Sequence, residues 1–286
     1  MNSSSTFKPM TVHLNIGDQL TSISCGHVVV ELIKFIAYQR LQIPYTYQWL
    51  KQVITKKKEC EEKKDSFQSE RHFRIASTAL ENLDFLLKSL QKEIGGASLP
   101  EEICVALGAT PVTCKEIYRF VLPTMCHQPQ CHSSNITSDQ GIQRSVFKTL
   151  VTSEKLSKIF FDALPPTNLY VFMKKKMNSN QEVVCGDSFI FISGYRIPKS
   201  AKVVTLDFNT HNKGNVTCCN DFQVFGESIS QELDSLKIEE SNDATDNFNE
   251  IESNNTASWF QSSYVMKGFK DCIVNGSSVT NSWLES

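Results

Sequence analysis

The chain has 286 residues, 40% of them apolar and 21% charged, with a formal net charge of −2. This is enough apolar material for one sizeable core, in one large domain or two small ones, and it excludes the basic excess with which proteins neutralise nucleic-acid phosphates. The opening Met-Asn-Ser-Ser-Ser-Thr-Phe-Lys-Pro-Met has no apolar h-region and no small-residue cleavage site, so no secretory signal is expected. The most apolar stretch, 28–38, is broken by Glu31 and Lys34 and is too short to span a bilayer.

Residues 1–9 are polar and read as a flexible tail. Val29, Leu32, Ile33, Ile36 and Ile43 then share one helical face, and Pro44 is expected to stop this first helix, because proline disfavours helical geometry in the residue before it. A shorter helix, Tyr47 to Ile54, ends in Lys56-Lys57-Lys58. Residues 59–70 carry almost no apolar side chains and read as a solvated connector or frayed helix. A second long helix is predicted from Arg71 to Leu90 on Phe73, Ala76, Leu80, Leu83, Leu87 and Leu90. Gly95-Gly96 is expected to end it with left-handed backbone geometry.

Ile103 to Leu107 has strand length, and Gly108-Ala109-Thr110-Pro111 is turn chemistry. Lys115 to Leu122 is ambiguous by period and is read as the returning strand of a hairpin. After a loop rich in Cys, His, Pro and Ser, a third helix is predicted over 138–151 with Ser138 as candidate N-cap, continuing helically to Phe161 and closed by Pro165-Pro166. Strands are predicted at Leu169 to Met173, Phe189 to Ile192 and Val203 to Phe208. The acidic insert 227–256 cannot offset its ordering entropy and reads as disordered. Order is expected again from Trp259 to Phe269. Three helices, an interposed hairpin and C-terminal strands predict one α+β domain over 10–275, helices packed on a mainly antiparallel sheet, with 276–286 as a tail.

The nucleus and cytoplasm are the expected location. There the ten cysteines are thiols rather than disulfides, and the sequons at Asn135, Asn215, Asn254 and Asn275 reflect a Ser/Thr/Asn-rich composition. Cys126, His127, Cys131 and His132 could ligate zinc, but such sites draw ligand pairs from two separated segments. Only Cys218-Cys219 could be imagined as the second pair, and a polar surface loop is the stronger reading. No nucleophile elbow, phosphate-cradling glycine loop or dinucleotide fingerprint occurs, so neither catalysis nor a cofactor is expected. Lys174-Lys175-Lys176 reads as a solvated hairpin tip. Gln39 lies beside the apolar stripe of the first helix, following Phe35 by four positions. Phe147, between Arg144 and Lys148, forms a second apolar edge with Val151 on the third helix. Periodicity alone favours a boundary Gln and a partly buried Phe over an exposed aromatic anchor with a polar neighbour.

Residues 31–40, Glu-Leu-Ile-Lys-Phe-Ile-Ala-Tyr-Gln-Arg, followed by Gln42-Ile43-Pro44, resemble the comet family, the Mad-two-binding proteins of the spindle checkpoint. The resemblance resumes at Leu107-Gly108, Lys115-Glu116-Ile117-Tyr118, Arg144 to Leu150, Tyr195-Arg196-Ile197-Pro198, Trp259-Phe260-Gln261 and Lys267-Gly268-Phe269-Lys270. It implies a HORMA-like fold with a C-terminal, safety-belt-like strand region. It implies binding of closed Mad-two through the first and third helices, and presentation of Mad-two to a Pch-type AAA+ ATPase to silence the checkpoint. The family's key Gln and Phe fall on Gln39 and Phe147, and Phe35, Arg144, Lys148 and Val151 complete the expected partner-binding set. The stretch 189–194 lacks the Pro-Lys pair associated with the ATPase-facing surface. Two alternatives stand beside this reading: a HORMA-type clasp for a partner's peptide, and a small metal-binding module at 126–132.

Overall fold

A computed structural model describes residues 9–14, 16, 20–59, 66–96, 98–123, 139–176, 185–208 and 257–285. Their elements run β1 (Met10–His13), α1 (Ser22–Gln39), α2 (Tyr47–Glu59), α3 (Phe67–Ile94), β2 (Pro100–Gly108), β3 (Cys114–Val121), α4 (Asp139–Thr152), α5 (Glu154–Phe161), β4 (Asn168–Lys176), β5 (Phe189–Ile192), β6 (Lys202–Asp207), β7 (Ala257–Ser262), β8 (Met266–Lys267), β9 (Ile273–Val274), β10 (Ser277–Ser278) and α6 (Val279–Glu285). The main sheet has the order β1-β6-β3-β2-β4-β7-β5, with β8 also paired to β4. It is mainly antiparallel; β6 runs parallel to both β1 and β3. With its helices it forms the α+β architecture expected from the order of elements, consistent with the HORMA-like fold that the resemblance implies.

Strand alternation decides which side chains meet the helices. Ile103, Val105 and Leu107 of β2 and Leu169, Val171 and Met173 of β4 join the large core under the helices. Cys104, Ala106, Tyr170 and Phe172 join a smaller core on the opposite face. That opposite face is covered by the connection from β5 to β6. The two strands flank β7, β4, β2 and β3, so residues 193–201 cross about 24 Å at about 4.8 Å per strand. Tyr195 stacks on Phe172 at 4.3 Å and meets Trp259 edge-on at 5.3 Å. Beneath this strap β7 lies between β4 and β5, antiparallel to both.

Three of the helices begin on side-chain caps. Ser24 N–H donates to Thr21 Oγ1 at 3.1 Å, Ser69 N–H to Ser66 Oγ at 3.3 Å and Leu156 N–H to Ser153 Oγ at 3.4 Å, each satisfying a first-turn donor. The cap at Ser153 corrects one expectation: the helix from the third-helix region to Phe161 is two helices, α4 and α5. Pro44 does not stop α1. The helix ends at Gln39 in a Schellman motif, with Gln42 N–H donating to Ala37 O at 2.8 Å, Leu41 N–H to Tyr38 O at 2.9 Å, and Leu41 at φ 53°. Ile43 is buried beyond the helix rather than on its face. Gly95 does follow α3, but at φ −79°, so no left-handed glycine ends it.

Two further expectations change. Lys174, Lys175 and Lys176 are not a hairpin tip: they pair within β4 against β2 and β7. Alternation turns Lys175 toward the helices, where it is 2% exposed and donates to Glu93 Oε2 of α3 at 2.7 Å. Residues 276–285, expected as tail, hold β10 and α6, and the buried Trp283 indole N–H donates to Ser69 Oγ at 2.9 Å. Ser138, the Cys/His loop 126–132, Cys218-Cys219 and the acidic insert 227–256 lie outside the described residues, as do residues 1–8 of the predicted tail. Among the described residues no helix is long and apolar enough to cross a membrane.

Candidate functional site

The C-terminal half of α1, all of α4 and the tip of α5 share one surface. Phe35 of α1 lies half-buried with its ring edge-on to Phe147 of α4, centroids 5.5 Å apart, and edge-on to Phe160 of α5 at 5.9 Å. Phe160 in turn stacks over Tyr118 of β3 at 6.5 Å. These edge-to-face pairs set the positive rim of one ring against the negative face of the next. Behind Phe147, Ile142, Val146 and Leu150 anchor α4 in the large core. Helical spacing therefore leaves Phe147 at the boundary, packed on the core yet reachable from solvent.

The expected partner-binding residues fall on this surface as follows. Phe35 and Phe147 are in direct contact. Gln39 is partly exposed on the last turn of α1, one turn beyond Phe35 on the same side. Arg144, Lys148 and Val151, spaced four and three residues apart, make one exposed stripe along α4. Val151 is 68% exposed, so the apolar edge it forms with Phe147 points further outward than helical period alone implied.

The residue that fixes this geometry is Arg40, which periodicity did not single out. Its Nε and Nη2 donate to Glu116 Oε2 and Oε1 of β3 at 2.8 and 2.7 Å. Its Nη1 donates to the carbonyls of Ile159 and Phe160 at 3.0 and 3.3 Å. Tyr118 OH completes the network by donating to Glu116 Oε2 at 2.9 Å. Burial, and then the Glu116 charge, push the Tyr118 phenol well above its ordinary pKa, so it stays a donor. One buried guanidinium thus joins the end of α1, the end of α5 and β3, capping two last-turn carbonyls of α5, of which Ile159 O also accepts from Asp162 N–H at 3.2 Å.

The neighbouring Gln42 is buried for a related reason. Its side chain donates to Arg40 O at 2.6 Å and accepts from Thr167 N–H at 2.7 Å. Its carbonyl accepts from Phe269 N–H at 3.0 Å. Gly268 is required beside it, since a Cβ there would come within 2.6 Å of Thr167 O and 2.8 Å of Gln42 Oε1. Both Gln42 and Gly268 lie in the blocks that carry the resemblance, and here they knit the α1–α2 link to β8.

A second polar cluster lies on the other side of α3. His72 Nε2 is 2.9 Å from Thr280 Oγ1, which donates to Asp271 Oδ1 at 2.5 Å, and Tyr45 OH donates to Asp271 Oδ2 at 2.8 Å. Burial lowers the His72 pKa, and Asp271 opposes this only in part. The His72 ring packs on Trp283 at 5.4 Å and Phe269 at 5.9 Å. The cluster holds the last segment of the chain against α2 and α3. Among the described residues no group of three or more His, Cys, Asp or Glu side chains is placed to hold a metal ion.

A family model described as p31comet, Mad1 and Cdc20-bound-Mad2 binding, matches residues 1–229. The match spans α1, α4, α5 and the strap, and β7 onward lies beyond it. None of the curated proteins compared with the chain matches it.

Proposed function

The chain belongs to the p31comet family, and on that premise we propose that it is a non-enzymatic adaptor that binds closed Mad2 through the α1–α4–α5 face. The family is described as binding Mad1- and Cdc20-bound Mad2. The observation that carries the location is the half-buried Phe35–Phe147 pair, flanked by Gln39 and by the exposed Arg144, Lys148 and Val151. A large aromatic held at a boundary by its own core neighbours meets a partner at little ordering cost, which is how interface anchors act.

In this reading the adaptor presents the bound Mad2 to a Pch-type AAA+ ATPase, which supplies the nucleotide energy, and checkpoint silencing follows in nucleus and cytoplasm. The resemblance of the sequence blocks supports this second step. The alternative of a clasp for a foreign peptide finds less support, because the slot under the strap already holds the chain's own β7, paired on both sides. Size-exclusion chromatography with Mad2 locked in its closed or open form tests the proposal. Co-elution with the closed form alone is expected; co-elution with neither would remove it.

A further inference from the structure

Beside the Phe35–Phe147 pair two apolar side chains stand out into solvent. Phe161, the last residue of α5, is 91% exposed, and Leu41, just beyond α1, is 54% exposed. The same guanidinium sets both. Arg40 precedes Leu41 in the chain, and its Nη1 bonds the Phe160 carbonyl, which belongs to the peptide carrying Phe161. The two side chains are therefore displayed from one buried, rigid node rather than from loose loops.

Neither residue is there for folding. Leu41 occupies the left-handed position of the Schellman motif, φ 53°, which glycine adopts without the Cβ penalty. A leucine that is strained in backbone and half out in solvent costs stability at a place where glycine would not, and such outliers gather where a side chain serves another end. In α5, Leu156, Ile159 and Phe160 pack against the core, while Phe161 has been turned to water at a helix end that any polar residue would suit. Phe160, the residue before Phe161, is 5.9 Å from Phe35, and Phe35 is 5.5 Å from Phe147, so the end of α5 that carries Phe161 abuts the aromatic pair. Arg144 and Lys148 of α4 and Lys155 and Lys158 of α5, all exposed, outnumber the exposed Glu154 and Asp162, the latter paired with Lys202 at 2.8 Å, so these helices carry a basic excess.

We propose that Leu41 and Phe161 form a second apolar anchor of the Mad2-binding face, seated in an apolar pocket of closed Mad2 whose rim is acidic. The proposal rests on the reading of the preceding subsection. The ring chain Phe160–Phe35–Phe147 at the end of α5, and the common mount on Arg40, favour the same partner for both anchors over a separate ligand.

Calorimetric titration of closed Mad2, with thermal unfolding of each variant, tests it. Leu41→Gly is expected to keep or raise Tm while weakening binding about tenfold, and Phe161→Ser to leave Tm unchanged while weakening binding about tenfold or more. Raised salt should weaken the wild-type complex, as the basic excess requires. Full affinity in both variants, with Phe147→Ala weakened, would overturn this proposal and leave the adaptor reading standing. Full affinity in both with loss of self-association in Phe161→Ser would overturn it in favour of a second copy of the chain. A Leu41→Gly variant that loses stability would overturn the role given to Leu41. No binding by the wild type would overturn both readings together.

Discussion

Arg40 and Glu116, 76 positions apart, face each other bidentately at 2.7 and 2.8 Å with side chains 2% and 5% exposed. Such a pair recovers little more than the desolvation of its charges, but removing one partner leaves the other buried and unpaired. Glu116→Ala is therefore expected to cost about 3–5 kcal/mol in urea unfolding. Replacing both, Arg40→Met with Glu116→Leu, should cost far less, yet it should still weaken Mad2 binding by releasing the α5 tip. Equal stability losses in the single and double variants would show that the pair has no such role.

The strap offers a test of an unsatisfied group. The Tyr195 hydroxyl is buried and finds no hydrogen-bond partner among the described residues, while its ring stacks on Phe172. Burial also pushes its phenol well above the ordinary pKa, so it stays neutral. Tyr195→Phe keeps the stacking and removes the unpaired oxygen, so stability should hold or rise by about 1 kcal/mol. Phe172→Ala, which empties the same contact, should lose about 3–5 kcal/mol. A Tyr195→Phe variant as unstable as Phe172→Ala would mean that the hydroxyl is bonded in solution.

Acid should loosen the C-terminal segment. The folded His72 pKa lies below its ordinary value because of burial, so the unfolded chain takes up the proton first. Stability is then full above about pH 6.5 and falls as pH drops through that value toward the folded pKa. Burial raises the Asp271 carboxyl, but bonds from Ser278, Thr280 and Tyr45 and the His72 charge together hold it below its ordinary value. Its contribution is lost in a separate window, below about pH 3.9. His72→Gln, which keeps an N–H donor, should flatten the fall in Tm between about pH 7 and about pH 5. An unchanged pH profile in that variant would assign the effect elsewhere.

Local pattern was enough to place α1 and α3, whose apolar faces recur at helical period, and β2 and β5, whose apolar runs have strand length between turn residues. The strand β3, ambiguous by period, was placed by its return across the turn from β2, which is buried on both faces. Phe147 was legible as a boundary residue from helical period as well. Arg40 was not, since its partner Glu116 is remote in sequence and its carbonyl acceptors sit on a third element. Pro44 was a misleading stop signal: α1 closes earlier, through backbone bonds around Leu41 that carry no glycine to announce them. Lys175 was legible in principle. It continues the odd-numbered series Leu169, Val171, Met173 that faces the helices, but the run of three lysines hid that parity. The Trp283 anchor of α6 lay in a stretch read as tail because polar neighbours masked its two buried apolar side chains, Val279 and Trp283.

The most direct test of the central claim is the affinity of closed Mad2 for wild type and for Gln39→Ala/Phe147→Ala, measured by titration, with circular dichroism and thermal unfolding to certify the fold. A tight wild-type complex, weakened by about a hundredfold or more in a double variant that remains folded, is the expected result. A folded double variant that binds closed Mad2 as tightly as the wild type would contradict the assignment of the α1–α4–α5 face.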